Sequence, residues 1–87
     1  MHEHALMQDL VAEIERLGRS ERARRITRVD VRLGALSHFT PAHFREHFAD
    51  ASRGTLAEGA AVHAELDADV HAPRATGVVL ESVEVEA

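Results

Sequence analysis

The sequence predicts an α+β fold in which two helices pack on one face of a small, mostly antiparallel three-stranded sheet, in the order α-β-α-β-β. Three features predict it: an apolar stripe at helical period near the N-terminus, a second helical segment with a legible start, and three short stretches of alternating apolar and polar residues. At 87 residues the chain is expected to form one domain near the lower limit for a single hydrophobic core. Only Phe39, Phe44 and Phe48 are aromatic, so the core is built from aliphatic side chains around one Phe cluster. The margin of such a core is thin, and a partner or a second copy of the chain would add to it.

The first helix is predicted over residues 4–18, where Leu6, Leu10, Ile14 and Leu17 share one face widened by Met7 and Val11. Gly18 suits a left-handed C-cap, and the polar, Arg-rich residues 19–25 read as a loop. Residues 26–34 are a strand, since Val29, Val31 and Leu33 alternate with Arg28, Asp30 and Arg32 and Gly34 ends the run. The second helix spans 41–51. Thr40 is its N-cap, Pro41 takes the first helical position, Phe39 staples onto Phe44, and Phe44 and Phe48 stack one turn apart. Turns follow at Arg53-Gly54-Thr55 and Glu58-Gly59. Residues 61–67 are a second strand with Val62, Ala64 and Leu66 inward, 69–77 a loop containing Pro73 and Gly77, and 79–86 a third strand. The short loop between the last two strands predicts that they pair antiparallel.

Composition narrows function. The absence of cysteine excludes disulfides, thiolate zinc sites and a cysteine nucleophile. No basic region precedes an apolar run at the N-terminus, and no stretch approaches the ~20 apolar residues of a membrane span, so a cytoplasmic protein without a membrane partner is expected. A net charge of −5 argues against nucleic acid as the main partner. Charge is unevenly spread: residues 16–32 hold Arg16, Arg19, Arg22, Arg24, Arg25, Arg28 and Arg32 against Glu21 and Asp30, whereas acids dominate 54–87. Solvated surface is the simpler reading, and a basic docking patch for an acidic partner the sharper one. No serine has a nucleophile-elbow context and no glycine-rich phosphate loop precedes a helix. The chain does not read as an enzyme.

Histidine placement carries the chemistry. A free α-amine at Met1, the His2 amide nitrogen and the His2 imidazole close two small, nearly planar chelate rings, which suits Ni(II) or Cu(II). A fourth ligand would come from the Glu3 amide, the Glu3 carboxylate or His4. Met1 should survive processing, because methionine removal needs a small second residue. His43 and His47 lie one helical turn apart, and with Glu46 they match the inverted zinc-protease pattern H-x-x-E-H. The pattern is short, lacks a third ligand at a telling spacing, and reads better as an exposed pair without metal. His38, His63 and His71 read as surface residues.

Four blocks in order carry a family resemblance: Met1-His2-Glu3 leading straight into a helix; Val31-Arg32-Leu33-Gly34-Ala35-Leu36-Ser37; Arg53-Gly54-Thr55-Leu56-Ala57-Glu58-Gly59-Ala60; and Leu80-Glu81-Ser82-Val83-Glu84-Val85-Glu86. Together they resemble the HypA/HybF hydrogenase-maturation nickel metallochaperones over nearly the whole chain. The resemblance implies a nickel site at Met1, His2 and Glu3 with His2 indispensable, and delivery of Ni(II) to [NiFe]-hydrogenase precursors or urease. It implies the maturation GTPase HypB and the hydrogenase large subunit as partners. It also implies a zinc domain with two Cys-x-x-Cys pairs between the last two strands, where this chain has only Ala68 to Gly77 and no cysteine. A single nickel-binding domain without structural zinc is therefore expected. A metal-independent adaptor of the same fold is the alternative, and a hydrolase built on His43, Glu46 and His47 a remote third.

Overall fold

The computed structural model describes residues 2–87, with side chains from His4 onward. Among these residues the order is α1 (His2–Ser20), β1 (Arg25–Leu33), α2 (Pro41–Ala51), β2 (Ala61–Leu66) and β3 (Val78–Glu86). The α-β-α-β-β order is the one that the alternation and the helical stripe predict.

The stripe of α1 buries Met7, Val11 and Ile14 in one cluster with Ile26, Val29, Val31 and Leu33 of β1 and Phe44 and Phe48 of α2. Both helices therefore cover the same face of the sheet. The helix runs two residues past Gly18, which is not its cap. Gly18 is buried inside the helix, and a Cβ placed there would lie 3.0 Å from Ile26 Cδ1 and 3.3 Å from Leu56 Cδ1. Its lack of a side chain lets α1 sit close to the start of β1. The stop comes later: Arg22 takes φ 55, its N–H donates to the Arg19 carbonyl, and the Ala23 N–H donates to the Gly18 carbonyl. That is the paired hydrogen bonding of a Schellman ending, made here with an arginine in the left-handed position.

The sheet is mixed, with strand order β2-β1-β3. β1 pairs with β2 in parallel, from Arg28 beside Ala61 to Leu33 beside Leu66, and with β3 antiparallel, from Arg25 beside Glu86 to Leu33 beside Val78. The expected β2–β3 pair does not form, because the strand with the strongest apolar alternation takes the centre. With Val29, Val31 and Leu33 fully buried, β1 gains neighbours on both edges. α2 supplies the crossover that a parallel β1–β2 pair requires, and residues 67–77 carry the chain past the end of β1 to its other side. Leu66, expected inward, is 54 % exposed. It is the last residue of an edge strand, and the chain turns away at Asp67, whose N–H donates to the Leu33 carbonyl at 2.8 Å.

Residues 67–77 are tied to the end of β1. The Gly34 N–H donates to the Gly77 carbonyl at 2.8 Å and the Leu36 N–H to the Ala75 carbonyl at 2.6 Å. A Cβ on Gly34 would meet the Ala75 carbonyl oxygen at 2.2 Å, so the close approach of the two segments requires glycine there.

The face of the sheet away from the helices is charged and internally paired. Arg28 pairs with Asp30 at 2.8 Å, Arg32 with Glu81 at 3.1 Å, and Arg24 and Arg25 both reach Glu86, at 2.6 and 2.7 Å. On α1, Arg16 and Arg19 pair with Glu13 and Glu15. The basic stretch 16–32 and the acidic C-terminal stretch thus meet across the antiparallel β1–β3 pair. Each of these exposed pairs contributes little to stability.

Candidate metal centre

Met1 and the side chains of His2 and Glu3 lie outside the described residues. The backbone of α1 begins at His2, and the leading N–H groups of a helix have no intrahelical carbonyl to donate to. The N-terminal amides are therefore not committed to the helix ladder. His4, the first described side chain, is exposed. It lines a groove of about 420 Å³ between the helices together with Met7, Gln8, His47, Asp50 and Ala51.

The other wall of that groove is α2, and its sequence explains its rigidity. The Thr40 hydroxyl accepts from the His43 N–H at 3.1 Å, with Pro41 in the first turn. Phe39 meets Phe44 edge to face at 5.5 Å between ring centroids, which is the predicted staple. Phe44 stacks on Phe48 at 6.1 Å, and both are buried in the core. His43 and His47 follow on the flank of this buried stripe, where they are half-buried rather than exposed. Their Nε2 atoms lie 2.8 Å apart, their rings meet edge to face at 4.4 Å, and the Phe39 ring packs against both.

Sequence reasoning thus placed the two imidazoles on one helix face but missed their mutual hydrogen bond and the groove that His47 shares with His4. The available signal was their spacing beside Phe44 and Phe48: a polar pair adjoining a buried stripe sits at the edge of the core. Glu46, the third member of the H-x-x-E-H pattern, is exposed. Among the described residues no group of three or more histidine, aspartate or glutamate side chains is arranged to hold an ion, so the hydrolase arrangement does not assemble there. His38, His63 and His71 are exposed, and His63 approaches only Glu65, at 3.8 Å.

Residues 67–77 do not fit a thiolate zinc centre. They offer one imidazole, His71, and two carboxylates already engaged in turns: Asp67 accepts from the Asp69 N–H at 3.0 Å and Asp69 from the His71 N–H at 2.9 Å. Four sulfur ligands have no counterpart in a chain without cysteine. No helix among the described residues is long and apolar enough to cross a membrane.

Comparison with known proteins fits this architecture. Residues 1–82 match the family described as HypA, hydrogenase/urease nickel incorporation, metallochaperone. The hydrogenase maturation factor HypA of Methylocella silvestris is 40% identical over 70 residues, covering 80% of this chain and 58% of that protein. The HypA of Archaeoglobus fulgidus is 32% identical over 67 residues, covering 77% of this chain and 61% of its own length. The chain thus spans about three-fifths of the curated relatives it matches. In structure, it is similar to the Ni metallochaperone HypA from Helicobacter pylori, with a TM-score of 0.80 and 18% identity, over 98% of this chain and 97% of that one. That likeness establishes a shared two-helix, three-strand fold. The relatives are maturation factors rather than enzymes, and on the match over residues 1–82 the chain belongs to the HypA family of hydrogenase/urease nickel-incorporation metallochaperones.

Proposed function

We propose that this chain binds Ni(II) at its N-terminus and hands it to a hydrogenase or urease maturation partner. The observation that carries the reading is the family match, which includes Met1-His2-Glu3 at its start. The α-amine of Met1, the His2 amide nitrogen and the His2 imidazole are three nitrogen ligands in the planar arrangement that Ni(II) accepts. The fourth position is filled by Glu3, through its amide or carboxylate, or by His4. The N-terminal end of a helix carries partial positive charge, which opposes a bare cation and favours an anionic amide nitrogen. A deprotonated amide and the Glu3 carboxylate would offset the charge of the ion. The ion is cargo, so a site made of chain-end atoms is suited to release as well as capture.

The partners that accord with this reading are the maturation GTPase HypB and the hydrogenase large subunit, in the cytoplasm. The chain would act as a single nickel-binding domain without structural zinc, residues 67–77 replacing the zinc domain expected from the resemblance. That replacement also favours a second reading, a metal-independent adaptor of the same fold. Calorimetric titration with Ni(II) separates the two. Loss of one bound ion in His2→Ala, with the fold intact by circular dichroism, is the result expected of a nickel carrier. Nickel binding unchanged by that substitution would leave the adaptor reading.

A further inference from the structure

The half-buried imidazole pair on α2 is not used by the N-terminal site, and its geometry is that of a ligand pair. His43 and His47 stand one turn apart with Nε2 atoms 2.8 Å from each other. Two nitrogens each about 2.0–2.1 Å from one ion and at right angles to each other would be about 2.9 Å apart, whereas a tetrahedral ion would spread them to about 3.3 Å. The observed separation is a hydrogen-bond distance between the rings, and it leaves both Nε2 atoms close enough to become adjacent ligands of one ion, imidazole being a donor for nickel, copper and zinc alike. The pair is also pre-positioned. The Thr40 cap fixes the first turn at His43, the Phe39 ring packs on both imidazoles, and Phe44 and Phe48 anchor the same helix in the core. His47 also lines the groove that holds His4 and Asp50.

We propose that His43 and His47 form a second, two-nitrogen site for a divalent transition-metal ion that accepts imidazole ligands, beside the groove that His47 shares with His4 of α1. Without metal, one ring donates its Nε2–H to the Nε2 lone pair of the other. On binding, the donor ring carries its hydrogen on Nδ1 instead, so both Nε2 lone pairs face the ion and no net proton need be lost. Water fills the remaining positions. With only two protein nitrogens the site holds metal more weakly than the chelate at Met1 and His2, as befits a station next to a release point. Because its ligands come from α2 alone, it stands whether or not the N-terminal reading does.

The test uses the untagged full chain and Ni(II) itself, with the stoichiometry and affinity of the unsubstituted protein, His2→Ala, His43→Gln/His47→Gln and the triple variant read by calorimetry. Two ions per chain are expected for the unsubstituted protein, one for His2→Ala, one for the double variant and none for the triple. A double variant that binds as many ions as the parent, with the same affinities, overturns the second site whatever His2→Ala does. A single ion per chain that is indifferent to His2→Ala and lost in the double variant overturns the N-terminal site and leaves this one standing. To keep the test independent of folding effects, ring-nitrogen NMR of the unsubstituted chain is followed during the titration. Selective loss or shift of the Nε2 signals of His43 and His47 is expected, and signals left in place through saturation overturn the proposal.

Discussion

The two helices face one another across a groove and each presents histidine, yet they are held in opposite ways. α2 is specified at each step: a threonine cap, a proline in the first turn, an aromatic staple and two phenylalanines buried to 0 % and 1 % exposure. At the start of α1 the first described side chain, His4, is exposed, and burial begins only at Met7. An imidazole pair on α2 depends on the fold for its geometry. A chelate made from an α-amine, the next amide and the next imidazole depends only on consecutive covalent bonds. The difference teaches that a metal site at the chain end, as proposed, would be separable from fold stability, whereas one on α2 would not.

The sharpest break in that comparison comes from Phe48→Ala. Phe48 is fully buried between α2 and the sheet, so its removal should cost ~3–5 kcal/mol through lost transfer energy and the cavity left behind. A domain of this size has a total stability on the order of 5 kcal/mol, so the variant should be largely unfolded in a urea melt. A synthetic peptide of residues 1–6 should nevertheless still bind Ni(II), more weakly than the folded chain. A melt unchanged by Phe48→Ala would mean that α2 does not anchor the fold as described.

Thr40→Ala is the milder version. It removes the oxygen that caps the His43 N–H and should cost ~1 kcal/mol, seen as a lower urea midpoint with an unchanged slope. It should loosen nickel at His43 and His47 and leave the N-terminal ion untouched. Equal weakening at both sites would contradict the separation of the two regions.

A smaller effect is expected on the far face of the sheet. Asp30 is held below the usual carboxylate range by hydrogen bonds from Arg28 and then from Ser82. Because its folded-state pKa is depressed, its contribution to stability is present at neutral pH and is lost as pH falls through that lowered value. Ser82→Ala should raise the Asp30 pKa toward the ordinary value, measured by carboxyl NMR titration, and leave nickel binding at both helices unaltered. An Asp30 titration unmoved by Ser82→Ala would show that the hydroxyl does not hold the carboxylate.

What could be read from the sequence divides along the same line. α2 was legible to the residue, because Thr40, Pro41 and the Phe44/Phe48 repeat are local signals. β1 was legible as a strand from its alternation, but its central place was not, since pairing is decided by which strand best fills the core. The end of α1 was misread at Gly18, because glycine marks both a left-handed cap and a close approach, and only the position of Ile26 tells them apart. The β2–β3 hairpin was wrongly expected because a short connection can also lead around the end of a central strand. The N-terminal ligands are proposed from Met1-His2-Glu3 and the family match, and their side chains lie outside the described residues. The contact between His43 and His47 depends on side-chain orientation beside the Phe39 ring, which spacing alone does not give.

The central claim is that nickel is captured by the free chain end, and it is tested most directly by one comparison. Ni(II) titrations of the native chain and of the same chain acetylated at Met1 should be run side by side, and each repeated at about pH 8 and about pH 6. The amine and the imidazole must both shed protons to coordinate. The native chain should therefore show a tight site at the higher pH that weakens steeply at the lower one, and acetylation should abolish that site at both. A tight site that survives acetylation, or one whose affinity does not change with pH, would contradict the account.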